Sequence, residues 1–158
     1  MESQEIGSNA AVQKLRDWDK QAVAEVIEFR GETTVVVSPQ HLARAAEFLA
    51  TEPSLRFTFL SDLTTVDRFP MEPRFELNYH LLSIDHGMRL RLRVRLAGLE
   101  PSVPTLTPVW PTANWHERES FDLFGIRFQG HPDLRRILMP DDWEGYPLRK
   151  DYPVEGFR

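Results

Sequence analysis

Phe75-Glu76-Leu77-Asn78-Tyr79-His80-Leu81-Leu82-Ser83-Ile84-Asp85-His86-Gly87-Met88-Arg89-Leu90-Arg91-Leu92-Arg93-Val94-Arg95-Leu96 is the stretch from which the fold can be read. Phe75, Leu77, Tyr79 and Leu81 alternate with other residues, and Leu90, Leu92, Val94 and Leu96 alternate with Arg89, Arg91, Arg93 and Arg95. A period of two puts each apolar set on one side of an extended chain, so each half predicts a strand with one buried face. Asp85-His86-Gly87 supplies the hairpin turn between them.

Working upstream, a strand is expected from Arg56 to Asp67. Before it, Ser38 stands as a helix N-cap with Pro39 at the first helical position. Leu42, Ala45, Ala46 and Leu49 follow at helical spacing, which predicts one apolar face packed on the sheet, and Pro53 ends the helix. Val23 to Phe29 and the β-branched run Thr33-Thr34-Val35-Val36-Val37 read as two strands joined by Arg30-Gly31-Glu32. Val12 to Trp18 reads as a short helix, and residues 1–12 as a frayed lead-in. The predicted order is α-β-β-α-β-β-β, an α+β fold with helices packed on one side of the sheet.

Downstream, Pro101, Pro104, Pro108 and Pro111 predict a loop. A helix over 113–124 is stopped by Gly125, and Pro132, Pro140, Gly145, Pro147 and Pro153 keep the rest turn-rich and extended. Three regions result: a lead-in over 1–22, an α+β core over 23–130, and a tail over 131–158.

Composition narrows the function classes. The chain of 158 residues carries a formal charge of -5 and has no cysteine. Whole-molecule electrostatics therefore oppose nucleic acid, although the arginines of the last strand form a local ladder. That ladder reads as a solvent face partly matched by Glu76, or as a meeting place for an acidic neighbour. Without cysteine, disulfides, a thiol nucleophile and a cysteine-ligated iron–sulfur cluster are all excluded on this chain. No apolar run is long enough to span a membrane, and the polar N-terminus looks like neither a signal nor a transit sequence, so a cytoplasmic protein is expected. His41, His80, His86, His116 and His131 are scattered, with Ser120 where an HExxH motif would need its second histidine.

The helix Asn114-Trp115-His116-Glu117-Arg118-Glu119-Ser120-Phe121-Asp122-Leu123-Phe124 has no cleanly apolar side. Two readings stand. Glu117 caps the helix N-terminus while the other charges are solvated, or some of Glu117, Arg118, Glu119 and Asp122 form a buried ionic network. The tail brings Trp143, Tyr146, Tyr152 and Phe157 together with Arg135, Arg136, Arg149, Lys150 and Arg158. That composition matches interface hot spots, unless the tail wraps back over its own domain.

Glu117-Arg118-Glu119-Ser120-Phe121-Asp122-Leu123-Phe124-Gly125-Ile126, with His131-Pro132 and Arg136-Ile137-Leu138, resembles the signature of the C-type subunit family of complex I, the NADH:quinone oxidoreductase. Trp143-Glu144-Gly145-Tyr146-Pro147-Leu148-Arg149-Lys150-Asp151-Tyr152-Pro153 is similar to that family's tail. The resemblance implies a non-catalytic subunit of the peripheral arm, on the cytoplasmic face of a bacterial inner membrane. It implies packing against the D-type subunit and near iron–sulfur subunits, with FMN, clusters and quinone held by other chains. It also implies interface or signature roles for Glu117, Arg118, Glu119, Asp122, Phe124, Gly125, His131, Arg136, Trp143, Pro147, Arg149, Lys150, Asp151 and Tyr152. The alternatives are the equivalent subunit of a related membrane-bound hydrogenase-type complex, or a free-standing enzyme using Glu117, His116 or Asp122 for acid–base work.

Overall fold

The computed structural model describes residues 2–157, with side chains from residue 10 onward. Helix α1 spans Glu2–Trp18, then come β1 Val23–Phe29, β2 Glu32–Val37, α2 Pro39–Thr51, β3 Phe59–Asp67, β4 Phe75–Ser83 and β5 Met88–Leu96. Beyond these lie β6 Ser102–Pro104, α3 Ala113–Phe124 and β7 Arg127–Gln129. The five long strands form one sheet in the order β1-β2-β5-β4-β3, antiparallel except where β2 meets β5. A parallel neighbour needs a crossover, and α2 provides it by carrying the chain to the far edge, from which β3, β4 and β5 return.

Register confirms the period-two reading. Leu77 faces Val94, Tyr79 faces Leu92 and Leu81 faces Leu90, all buried, while Glu76 faces Arg95 and Asn78 faces Arg93 on the other surface. Val35 joins the buried set opposite Leu92. Leu42, Ala45, Ala46 and Leu49 of α2 and Ala11, Val12 and Leu15 of α1 close over that surface. Thr65 of β3 lies opposite Leu77 and its hydroxyl donates to Ser120 of α3 at 2.9 Å, so α3 sits on the same side. All three helices cover one face, as expected.

Four local expectations change. The first helix begins at Glu2, taking in the segment expected to fray, because Ala11, Val12 and Leu15 share one buried stripe. Ser38 occupies the N-cap of α2, but its hydroxyl meets His41 Nδ1 at 2.6 Å instead of capping a helix amide. The proline-rich loop contains β6, which pairs in parallel with β7 and buries Val103 against Phe128. The strand expected from Arg56 starts at Phe59, since Arg56 turns through φ 45°.

Trp110 ties this last region to the core. Its ring is fully buried and its indole N–H donates to the Phe57 carbonyl at 2.9 Å. Trp110→Phe would orphan that carbonyl, so a loss of about 1–3 kcal/mol is expected in urea unfolding. An unchanged midpoint would show that the bond contributes nothing.

Candidate functional site

Helix α3 ends where its chemistry begins. Gly125 caps it in the left-handed region at φ 76°, with its N–H on the Phe121 carbonyl at 2.9 Å. A Cβ there would lie 2.5 Å from Cε2 of Tyr146 and 2.6 Å from Nη2 of Arg149. Glycine is thus required twice, for the turn and for the tail's close approach.

Asp122, fully buried on α3, gathers the start of the tail around its carboxylate. Oδ1 accepts from Arg136 Nη1 at 2.7 Å, and Oδ2 accepts the backbone N–H groups of Ile137, Leu138 and Met139 at 3.0, 2.7 and 2.8 Å. Arg136 extends the knot by donating to the carbonyls of Trp143 and Gly145, both at 2.9 Å. Burial raises the Asp122 carboxyl, but these donors outweigh it and hold the group below the usual range.

A second knot fixes the far end of the tail. Arg74, buried just before β4, grips Asp67 with two bonds of 2.8 Å and donates to Asp151 at 2.7 Å. The Lys150 amide reaches Asp67 Oδ2 at 2.8 Å. Burial raises the Asp67 carboxyl, but Arg74 and the Lys150 and Phe69 amides bring it down to about 2. Between the knots, Arg149 Nε donates to the Phe124 carbonyl at 2.6 Å, and its guanidinium stacks 4.8 Å over Tyr146. Pro147 occupies the second position of the turn closed by the Arg149 amide on Tyr146.

Glu117 is fully buried but differently served. It receives the Leu106 N–H at 2.7 Å and the Thr105 hydroxyl at 2.5 Å, both outside its own helix, so it does not cap α3. Burial therefore dominates and pushes its carboxyl up to about 7. His131 lies 3.8 Å away, with Nδ1 accepting the Asp133 amide and Nε2 on the Asn114 carbonyl.

The remaining predicted residues fall into place around these groups. Arg118 donates to the carbonyls of Arg135 and Arg136, both at 3.2 Å. Phe124 is half-buried, whereas Glu119, Trp143 and Lys150 project outward. Tyr152 packs edge-on to Phe157 at 5.5 Å. The buried ionic network thus holds for Asp122 with Arg136, whereas Glu117 is buried on an amide and a hydroxyl and Glu119 is exposed. The tail does wrap back over its own domain, yet Leu138, Trp143, Leu148 and Phe157 stay exposed. Arg74, Asp67 and Thr105 went unnoticed in the sequence. Asp67 and Arg74 meet each other across seven residues but reach the tail across 83 and 77, and the one hint was an arginine placed at the entry to an apolar strand.

Comparison with known proteins fits this geometry. Residues 35–158 match the family described as respiratory-chain NADH dehydrogenase, 30 Kd subunit. The chain belongs to this family. The C-type NADH-quinone oxidoreductase subunit of Roseiflexus sp. (strain RS-1) is 52% identical over 92% of this chain and 84% of that protein. Its counterpart from Geotalea uraniireducens (strain Rf4) is 48% identical over 94% of this chain and 90% of its own length. Among solved structures, a trypsin-resistant fragment (1-134) of Nqo5 matches with TM-score 0.66 and 31% identity, covering 80% of this chain and 98% of that one. A chain of the membrane-bound sulfane sulfur reductase, an archaeal respiratory membrane complex, matches with TM-score 0.75 and 26% identity, covering 92% of this chain and 85% of that one.

Two expectations follow for this member of the 30 Kd family. Glu117 prefers its protonated form when folded, so that preference is fully expressed below about pH 4.5 and is lost as pH rises toward 7. Glu117→Gln should remove this dependence, gaining up to about 3 kcal/mol on the parent between pH 5 and pH 8 in urea unfolding. An equal difference at both pH values would show an ordinary carboxyl. Asp122→Asn should cost about 2–4 kcal/mol by breaking the charge-assisted bonds that hold the tail. It should also open Arg135 and Arg136 to trypsin, and unchanged cleavage would mean that the knot does not order the tail.

Proposed function

We propose that this chain is a non-catalytic peripheral-arm subunit of a proton-translocating NADH:quinone oxidoreductase, which positions the D-type subunit and the electron-transfer module. The observation that carries this reading is the tail itself. Two polar knots hold it against α3 and β4, and it turns Leu138, Trp143, Leu148 and Phe157 outward. A small protein gains no stability from holding such groups in water, whereas an interface needs them fixed in place. A hollow of about 250 Å³ between β3 and α3, lined by Asp62, Glu119, Leu123 and Leu148, extends the same surface.

On this reading the signature residues divide by task. Glu117, Arg118, Asp122, Phe124, Gly125, His131, Arg136, Arg149 and Asp151 hold the surface. Pro147 and Tyr152 shape its turns, and Glu119, Trp143 and Lys150 face the partner. Residues 131–158 are the interface tail, 23–130 the core that carries it and 1–22 the lead-in. The complex's FMN, iron–sulfur clusters and quinone belong to other subunits, in keeping with a chain that has no cysteine. No described helix is long and apolar enough to cross a membrane, so attachment at the cytoplasmic face of the bacterial inner membrane runs through the partners.

A free-standing acid–base enzyme fits less well, because Glu117 has no solvent exposure and Asp122 has its carboxylate enclosed by donors. Membership of a related respiratory complex is the second reading, favoured by the likeness to the sulfane sulfur reductase chain. The higher identity to the Roseiflexus protein puts the NADH-linked complex first.

Trp143→Ala should weaken capture of the D-type subunit at least about tenfold, the scale of one aromatic hot spot. Arg149→Ala should weaken it too, by loosening the tail from Phe124. Co-purification from gently solubilised membranes, with NADH:quinone activity of the eluate, checks both. Full capture by both variants would remove the tail as the interface.

A further inference from the structure

Most charges of the tail are already taken up. Asp133 pairs with Arg135, Arg136 with Asp122 and Asp151 with Arg74, while Arg149 serves the Phe124 carbonyl. Asp141, Asp142, Glu144 and Glu155 are exposed without an ion pair among the described residues, against Lys150 alone. They stand beside the apolar groups that the tail turns outward. Asp142 and Glu144 flank Trp143, and Glu155 lies between Val154 and Phe157. The loop that carries them is fixed. The Trp143 N–H donates to the Pro140 carbonyl at 3.0 Å, and Arg136 donates to the carbonyls of Trp143 and Gly145, both at 2.9 Å.

The hollow between β3 and α3 repeats the pattern in a different shape. Leu63, Leu123, Phe124 and Leu148 give it an apolar lining, with Asp62 on the β3 wall and Glu119 on the α3 wall. No lysine or arginine lines it. Glu119 is exposed and has no bonded partner among the described residues. Asp62 receives the Leu63 amide on Oδ1, with His116 Nδ1 3.5 Å from the same oxygen. Arg118, next to Glu119, is taken up by the carbonyls of Arg135 and Arg136 and lies 5.1 Å over the Trp115 ring. At about 250 Å³ the hollow has room for a single long side chain. Apolar walls below two carboxylates suit an arginine or lysine, whose stem is apolar and whose head is charged.

We propose that the tail surface docks on a basic segment of a neighbouring protein chain. One arginine or lysine of that segment enters the hollow between Asp62 and Glu119, and others meet the carboxylates around Trp143. The inference rests on the reading of the tail as an interface and adds the chemistry of the partner. Two separate features, a shaped hollow and a fixed loop, ask for the same charge on apolar ground. An anionic membrane surface would be repelled by the same carboxylates. A metal ion is not their purpose either, since among the described residues no three acidic or histidine side chains gather closely enough to hold one. A second copy of this chain offers little in return, because Arg91, Arg93 and Arg95 are already paired with Glu32, Glu76 and Glu25. Charges placed around an apolar contact select the partner and fix its register.

Photo-crosslinking in the intact complex purified from membranes tests it. p-Benzoylphenylalanine is placed at position 143, one aromatic for another, and in a second sample at position 138. Mass spectrometry should place the products of both on a Lys/Arg-rich segment of a neighbouring chain. Glu119→Lys and, separately, Asp142→Lys should each lower the yield about tenfold, because like charges then face each other. Glu119→Gln should lower it less. Both positions are exposed and unbonded, so an unchanged melting temperature of each variant will exclude misfolding. Products on a segment without basic residues, or yields indifferent to all three changes, overturn this proposal and leave the tail as the interface. Products only with lipid or with a second copy of this chain, or none at all, overturn the tail reading and this inference with it.

Discussion

The carboxylate of Asp122 is a full negative charge inside the protein, and a buried charge persists only where donors replace the water it has lost. Four N–H groups do so, one from Arg136 and three consecutive amides of the tail. Because those amides belong to residues 137–139, satisfying the charge and folding the tail are the same event. Gly125 lets Tyr146 and Arg149 approach the end of α3, and the Asp67–Arg74–Asp151 group closes the far end. Buried ion pairs of this kind add little net stability against an apolar alternative, but breaking one partner is costly and geometry is fixed. Fixed geometry is what a surface needs if it must meet other chains in one orientation.

Glu117 and Asp122 show how much the donor count decides. Both are wholly buried carboxyls on one helix. Asp122 has four N–H donors and is held ionised, whereas Glu117 has two donors and is pushed toward its neutral form. When protonated, Glu117 can donate to Thr105, whose hydroxyl lies 3.0 Å from that of Thr107. The two groups therefore hold the same helix by different means, one by a fixed charge and one through a carboxyl that burial pushes up to about 7.

The sheet divides the molecule's tasks. Its covered face carries the helices and anchors the tail, while on its open face the arginines of β5 pair with Glu76, Glu25 and Glu32.

Much of this was legible in the sequence. Alternation in Phe75–Leu96, the helical spacing of Leu42, Ala45, Ala46 and Leu49, and the Gly125 stop follow from local geometry, in which side-chain direction repeats every two or about 3.6 residues. The signature blocks carried the family. The strand order did not follow, since nothing local to β2 says that β5 lies beside it in parallel. Nor did the partners of Asp67, Arg74, Arg149 and Asp151, which meet across as many as 83 residues of chain. Whether a charged side chain on α3 is solvated or enclosed depends on which distant donors the fold delivers to it. Glu119 and Asp122, three residues apart and alike in charge, were separated only by the tertiary structure, because the tail passes over one and not the other.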